Sequence, residues 1–141
     1  MTTKGIVITL IALLLAYPAY LWATYINNTV KSGSAYGFTI GDTKKETYQK
    51  LNTSLTEVAG KGETVFIEIK SNAQLESFLA TKSDFNVMVK PLFHDVGFPM
   101  FEGENVWNFY VGASYFNTLK LEFCDEQLCK IHRHRKYFEL P

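Results

Sequence analysis

The fold is decided by residues 105–138, NVWNFYVGASYFNTLKLEFCDEQLCKIHRHRKYF. This stretch contains runs in which apolar and polar residues alternate, which is the period of a β-strand with one buried face. Two turn sequences, 112–114 (GAS) and 125–127 (DEQ), separate these runs. We therefore predict an antiparallel meander of three strands, over residues 105–111, 115–124 and 128–138.

The residues before this meander predict helices and further strands. Thr43 and Glu46 fit a capping box, in which each side chain bonds a free backbone amide at the start of a helix. An apolar face then repeats at three- and four-residue spacing, at Tyr48, Leu51, Leu55 and Val58. After a glycine-rich end at residues 60–62, we predict strands over 63–70 and 85–90, with a short helix between them.

Helices that cover one face of an antiparallel sheet define an α+β domain, which we assign to residues 38–141. A domain of this length can bury a core without a structural metal. Residues 27–37 (NNTVKSGSAYG) precede it and are polar and rich in glycine and serine. We predict that they form a flexible tether.

The N-terminal segment is apolar and uncharged over residues 5–26, GIVITLIALLLAYPAYLWATYI, which is long enough to cross a bilayer as a helix. Lys4 precedes it, and the positive-inside tendency keeps that end in the cytoplasm. We predict an anchor over residues 1–26, single-pass in the inner (cytoplasmic) membrane, with the domain in the periplasm. A cleaved signal peptide is the alternative, although small residues are poorly placed for a cleavage site.

Composition and motifs narrow the function. The 14 basic and 14 acidic residues give no net charge, whereas nucleic-acid binders usually show a basic excess. The chain has no GxSxG, HExxH or glycine-rich phosphate motif. We therefore expect no enzyme activity, no cofactor, no small-molecule substrate and no nucleic-acid partner.

Cys124 and Cys129 lie at the two ends of the last predicted turn. This places them nearly opposite each other on neighbouring strands, within reach of a disulfide. Such bonds persist in exported domains. We predict that this pair is a structural disulfide, because the spacing is not that of a redox motif.

Three histidines allow a metal site only in principle. His132 and His134 lie two residues apart on one strand face, and His94 is a conceivable third ligand. We favour a solvated basic edge strand here, whose charges discourage unwanted pairing, and we predict no metal. Residues 130–136 also suit an acidic partner or lipid headgroups.

Residues 91–103 (PLFHDVGFPMFEG) are the strongest candidate for an interaction site. Loops are normally polar, yet this one holds six large apolar residues. Either they fold back onto the core or they present an exposed patch to a partner. For the second case, the partner-binding anchors that we predict are Phe93, Phe98, Phe101 and Trp107.

The start of the predicted helix carries residues 41–46 (GDTKKE), followed by Tyr48 and Leu51. This pattern is similar to the start of the outer-membrane assembly lipoproteins of the BamE (SmpA/OmlA) type. Residues 106–110 (VWNFY) and 119–123 (LKLEF) look like the final strands of that family. The resemblance implies helices on a short antiparallel meander and a partner in the envelope. The chain differs in having no lipoprotein cysteine and in its additional strand and helix.

The layout of one anchor, one small domain and no catalytic motif also resembles small membrane-anchored bacteriocin immunity proteins. We therefore expect a non-enzymatic module that binds and inhibits an incoming toxin. An envelope assembly or scaffold component is the alternative. Both hypotheses require a protein partner, whose identity the sequence does not give.

Overall fold

The computed structural model describes residues 3–60, 63–70, 86–89, 98–112 and 114–137. The helices in this part of the chain are α1 (Thr3–Thr24), α2 (Lys44–Ala59) and α3 (Phe98–Glu102). Its strands are β1 (Ile26–Val30), β2 (Ser34–Ala35), β3 (Phe38–Thr39), β4 (Val65–Lys70), β5 (Asn86–Val89), β6 (Val106–Val111), β7 (Asn117–Cys124) and β8 (Gln127–Arg135). The predicted helix between β4 and β5 lies outside the described residues.

Six of these strands form one antiparallel sheet in the order β1-β8-β7-β6-β4-β5, and β2 pairs with β3 in a small ribbon. The predicted α+β class and the C-terminal meander are confirmed. Alternation along the strands of the meander sends most of their apolar side chains to one face. The core face of β6, β7 and β8 carries the fully buried side chains of Trp107, Phe109, Leu119, Leu121 and Ile131.

The helices α2 and α3 cover this core face. Leu51 and Leu55 of α2 and Phe101 of α3 belong to the same buried cluster as the strand side chains. The predicted capping box holds α2 at its start, since the Thr43 amide donates to the Glu46 carboxylate at 2.8 Å and Thr43 Oγ1 accepts from the Glu46 amide. The Thr43 amide and hydroxyl both donate to the Glu46 carboxylate, and these two hydrogen bonds lower its pKa.

A tight contact fixes the connection between β2 and β3 against α2. Gly37 has a φ of +81°, and a Cβ added there would collide with the Ser54 side chain. Only glycine satisfies both the backbone conformation and the space. The position is therefore a packing constraint, although the sequence placed it in a tether.

Residues 26–30 correct the predicted domain boundary. They form β1, which pairs with β8 along its whole length, from Ile26 opposite Arg135 to Val30 opposite Ile131. The predicted flexible tether is therefore wrong for this part, and the described domain begins at Ile26 rather than at residue 38. The polar sequence is explained by position, because an edge strand with one exposed side needs few apolar residues.

The N-terminal helix is long and apolar enough to span a membrane, with a mean hydropathy of 2.1 over Lys4–Thr24. A signal sequence meets the same criterion. The last turn of α1 contacts the domain, because Arg135 Nε donates a hydrogen bond to the Thr24 carbonyl at 3.0 Å. Only Tyr25 separates α1 from β1.

Candidate functional site

Two of the predicted partner-binding anchors are core residues. Trp107 has no exposed surface and Phe101 is 3% exposed. Their rings meet edge to face at 5.0 Å, and Trp107 Nε1 donates to the Phe101 carbonyl at 2.9 Å. The structure thus corrects their expected exposure: these rings stabilise the fold and present no surface to a partner in this conformation.

The other two predicted anchors are Phe98 and Phe93. Phe98 is partly buried against the core, with its ring 5.2 Å from the Tyr48 ring, and Phe93 lies outside the described residues. Residues 98–102 form α3 where a loop was predicted. For the described part of residues 91–103, the apolar side chains fold back onto the domain, which was one of the two alternatives.

The opposite face of the sheet is free of helices in the described structure, and we call it the open face. Alternation brings polar side chains from three neighbouring strands together there, because β1, β8 and β7 pair in register. Together with the residue that follows β1, they line a shallow cavity of about 390 Å³. Its lining residues are Thr29, Lys31, Lys120, Glu122, Lys130 and His132.

The cavity is electropositive. Its lining contains three lysines and a single carboxylate, Glu122. Glu122 forms ion pairs with both Lys120, at 2.7 Å, and Lys130. Hydrogen bonds from these two ammonium groups lower the pKa of Glu122, so the carboxylate stays ionised and offsets only part of the positive charge.

His132 lines the same cavity as the three lysines. Its Nδ1 is 2.7 Å from Thr29 Oγ1, which ties β8 to β1. Burial lowers its pKa, and the nearby Lys120 and His134 lower it further. The imidazole is therefore neutral at pH 7, and it can gain a proton when a negative charge approaches.

A second part of the open face is occupied by its own contacts. The Tyr110 hydroxyl donates to the Glu68 carboxylate, and the Tyr115 ring lies 5.1 Å from the Tyr110 ring. Burial and the Glu68 hydrogen bond raise the pKa of Tyr110, so this phenol remains protonated. The basic cavity is consequently the more available binding surface of the two.

The sequence predicts that the histidines lie on an edge strand, and this is wrong. β1 pairs with β8 and covers that side of it. His132 and His134 do share a face, as predicted, and His94 lies outside the described residues. Within the described ranges, no group of three His, Cys, Asp or Glu side chains is placed to hold a metal ion.

The predicted disulfide is present. Cys124 and Cys129 are bonded, with Cα atoms 5.6 Å apart across the β7–β8 hairpin. The turn itself is tighter than predicted, since Asp125 and Glu126 both have positive φ, as a two-residue hairpin turn requires. The buried Lys44 ammonium at the start of α2 pairs with Glu126 at 3.1 Å and so ties the turn to the helix layer.

No protein-family model, curated protein or solved structure matches this chain. The open face is therefore interpreted from its own chemistry.

Proposed function

We propose that this chain is a membrane-anchored, non-enzymatic module that binds an acidic protein through the open face of its sheet. The observation that carries the proposal is the cavity that Lys31, Lys120 and Lys130 line together with His132. Burial lowers the pKa of His132, and the nearby Lys120 and His134 lower it further. Positive charges this close to one another produce a mutual repulsion. A partner carboxylate placed in the cavity relieves it and forms charge-assisted hydrogen bonds.

We place α1 as a single-pass anchor in the inner membrane, with the domain in the periplasm. The length and hydropathy of the helix support this placement. Lys4 lies directly before its apolar run, whereas the next charged residue after the run is Lys31. The disulfide between Cys124 and Cys129 supports an oxidising compartment for the domain.

The partner that we propose is an incoming toxin, which makes the chain an immunity protein that inhibits a bacteriocin. A membrane tether raises the local concentration of an inhibitor on the side where the toxin arrives. A rigid, charged sheet face suits a protein that blocks another protein's active site, because electrostatic complementarity speeds association and sets specificity.

The alternative is an envelope assembly or scaffold component of the BamE type. It is favoured by the capped helix at residues 43–46 and by the meander that follows, which are the regions that resemble that family. In this case the partner is a resident membrane complex. The exposed side of α2, which carries Lys45 and Lys50, is then the expected docking surface.

Capture experiments with matched variants separate these proposals. The intact chain is mixed with envelope extract, with and without a candidate toxin, beside a variant with Lys120→Gln and Lys130→Gln and a control with Lys45→Gln and Lys50→Gln. We expect the first variant to lose most of the captured toxin and the control to retain it. Loss in the control alone, with a resident complex captured, supports the scaffold alternative. Equal capture by all three proteins contradicts binding through the cavity.

A further inference from the structure

A second surface of the domain lies beside the end of α1 and consists of exposed aromatic rings. Ile26 of β1 and Asn117 of β7 both pair with Arg135 of β8, so these three residues form one row across the sheet. The chain enters this row from α1, which ends at Thr24. The same end of the sheet also carries the residues just before β7 and just after β8.

Contacts place these residues alongside the last turns of α1. The Tyr137 ring stacks on the Tyr20 ring of the helix, with centroids 6.5 Å apart. The Lys136 amide donates to the Phe116 carbonyl at 2.7 Å, which holds the two segments together. Because Tyr20 is four residues before the end of α1, Tyr137 lies at the level of a helix position about 6 Å short of that end.

The rings at this end are largely uncovered. Tyr115 is 64% exposed, Tyr137 is 53% exposed and Phe116 is 40% exposed. The helix shows exposed rings of its own at the same level, including Tyr20 and Trp22. Aromatic side chains on a spanning helix collect at the membrane interface, where the ring is shielded from water and its polar edge stays hydrated.

We infer that Tyr115, Phe116 and Tyr137, the aromatic foot of the domain, insert into the headgroup layer of the bilayer that α1 crosses. The inference rests on the anchoring part of the proposed function. The partner of this surface is a lipid bilayer. A bilayer that surrounds Tyr20 of α1 also reaches Tyr137, because the two rings stack on each other. The exposed Lys136 between the foot residues suits the phosphates of anionic lipids.

The foot fixes how the open face is presented. The strands run away from the row at Arg135, and the lysines of the cavity lie three to five residues along them, roughly 10–16 Å from the row. With α1, the Arg135–Thr24 hydrogen bond and the foot all engaged, the domain cannot swing about a hinge. The cavity is thereby held close to the membrane surface at a constant orientation.

Spin-label depth measurements on the full chain test this inference. Both native cysteines are in the disulfide, so single introduced cysteines can be labelled selectively. The labelled positions are Phe116→Cys and Tyr137→Cys in the foot, Leu13→Cys in the middle of α1, and Glu102→Cys at the exposed end of α3. Glu102 lies at the hairpin end of β7, because the Lys44 ammonium donates to both the Glu102 carbonyl and the Glu126 side chain. The chain is reconstituted in vesicles of phosphatidylcholine and phosphatidylglycerol, and collision with oxygen and with an aqueous nickel chelate is compared.

We expect the Leu13 label to lie in hydrocarbon and the Glu102 label in water. Both foot labels should be several-fold less accessible to nickel than the Glu102 label. Foot labels as accessible as the Glu102 label, with the Leu13 label still in hydrocarbon, overturn the inference and leave the anchor intact. A water-exposed Leu13 label overturns both. Partner capture depends on Lys120 and Lys130 instead, so its failure is recognised separately.

Discussion

Arg133 is buried on the core face of β8, and its guanidinium is held by uncharged oxygen atoms. It donates to the Thr118 and His134 carbonyls at 2.9 and 2.6 Å and to Asn117 Oδ1 at 2.6 Å. Burial, and then repulsion from Arg135, lower its pKa, yet an arginine remains protonated at any physiological pH. The side chain therefore joins two strands through a buried charge.

Replacing this residue tests how much that connection contributes. We expect Arg133→Ala to lower the free energy of unfolding by about 2–4 kcal/mol, because hydrogen bonds to a charged group are lost and a cavity remains. Urea denaturation of the detergent-solubilised chain measures the change. Lys45→Ala, at an exposed position of α2, is the control and should stay within about 0.5 kcal/mol of the native chain. An Arg133→Ala variant as stable as the control contradicts a structural role.

His132 predicts a pH dependence of stability. Its folded pKa is below the ordinary value of 6.5, so the unfolded chain binds the proton more readily. The folded state therefore loses stability as the pH falls below 6.5 towards the folded pKa. We expect His132→Asn to remove this component, so that the difference in unfolding free energy between the two proteins changes from pH 7.5 to pH 5. A constant difference across that range contradicts the lowered pKa.

At the level of elements, α2 and the meander could be predicted because their signals are local. The capping residues Thr43 and Glu46 and the alternation along β7 act within a few positions of the chain. β1 could not be predicted, because the polar sequence INNTV forms a strand only by pairing with β8, about a hundred residues further along the chain. The burial of Phe101 and Trp107 likewise depends on α3 meeting the sheet, and an apolar loop sequence is compatible with either outcome.

Only the β8 part of the candidate cavity could be predicted from the sequence. The sequence shows the basic run of residues 130–136 and predicts that His132 and His134 share a strand face. Lys31 and Thr29 join it only because β1 adds to the edge of β8, and Lys120 arrives through the register of β7. A cluster assembled from three strands has no spacing signature in one chain.

The β7–β8 hairpin is closed by the disulfide and by a turn with two left-handed residues. Because the closed loop is short, we expect Cys129→Ser with Cys124→Ser to cost only about 2 kcal/mol in unfolding free energy. Thermal denaturation with and without reductant measures this, since the double variant should not respond to reductant. A protein that fails to fold without the disulfide contradicts the modest cost.

At the scale of the whole molecule, the position of the domain boundary gives a sharp comparison. A fragment that starts at residue 26 keeps β1 and β2, whereas one that starts at residue 38 loses both strands and uncovers the β8 edge. We expect the shorter fragment to be less stable by roughly 3 kcal/mol or more, since the side chains of Ile26 and Val30 each contribute about 1.5 kcal/mol of burial at most and backbone pairing is lost as well.

Urea denaturation of both fragments gives the comparison, and amide exchange in the longer one should show protection over residues 26–30. Equal stability of the two fragments, or rapid exchange throughout β1, restores the flexible tether.

The pairing of the first strand with the last also governs when the domain can finish folding. Thr29 and His132, which bond across this seam, are separated by 103 positions. Synthesis delivers β8 about a hundred residues after β1, so β1 emerges long before its partner, and closing a loop of that length is entropically costly and slow. The sheet is thus completed only after β8 has been synthesised. An interrupted or shortened product keeps β1 unpaired, and its open backbone edge is a substrate for chaperones and proteases.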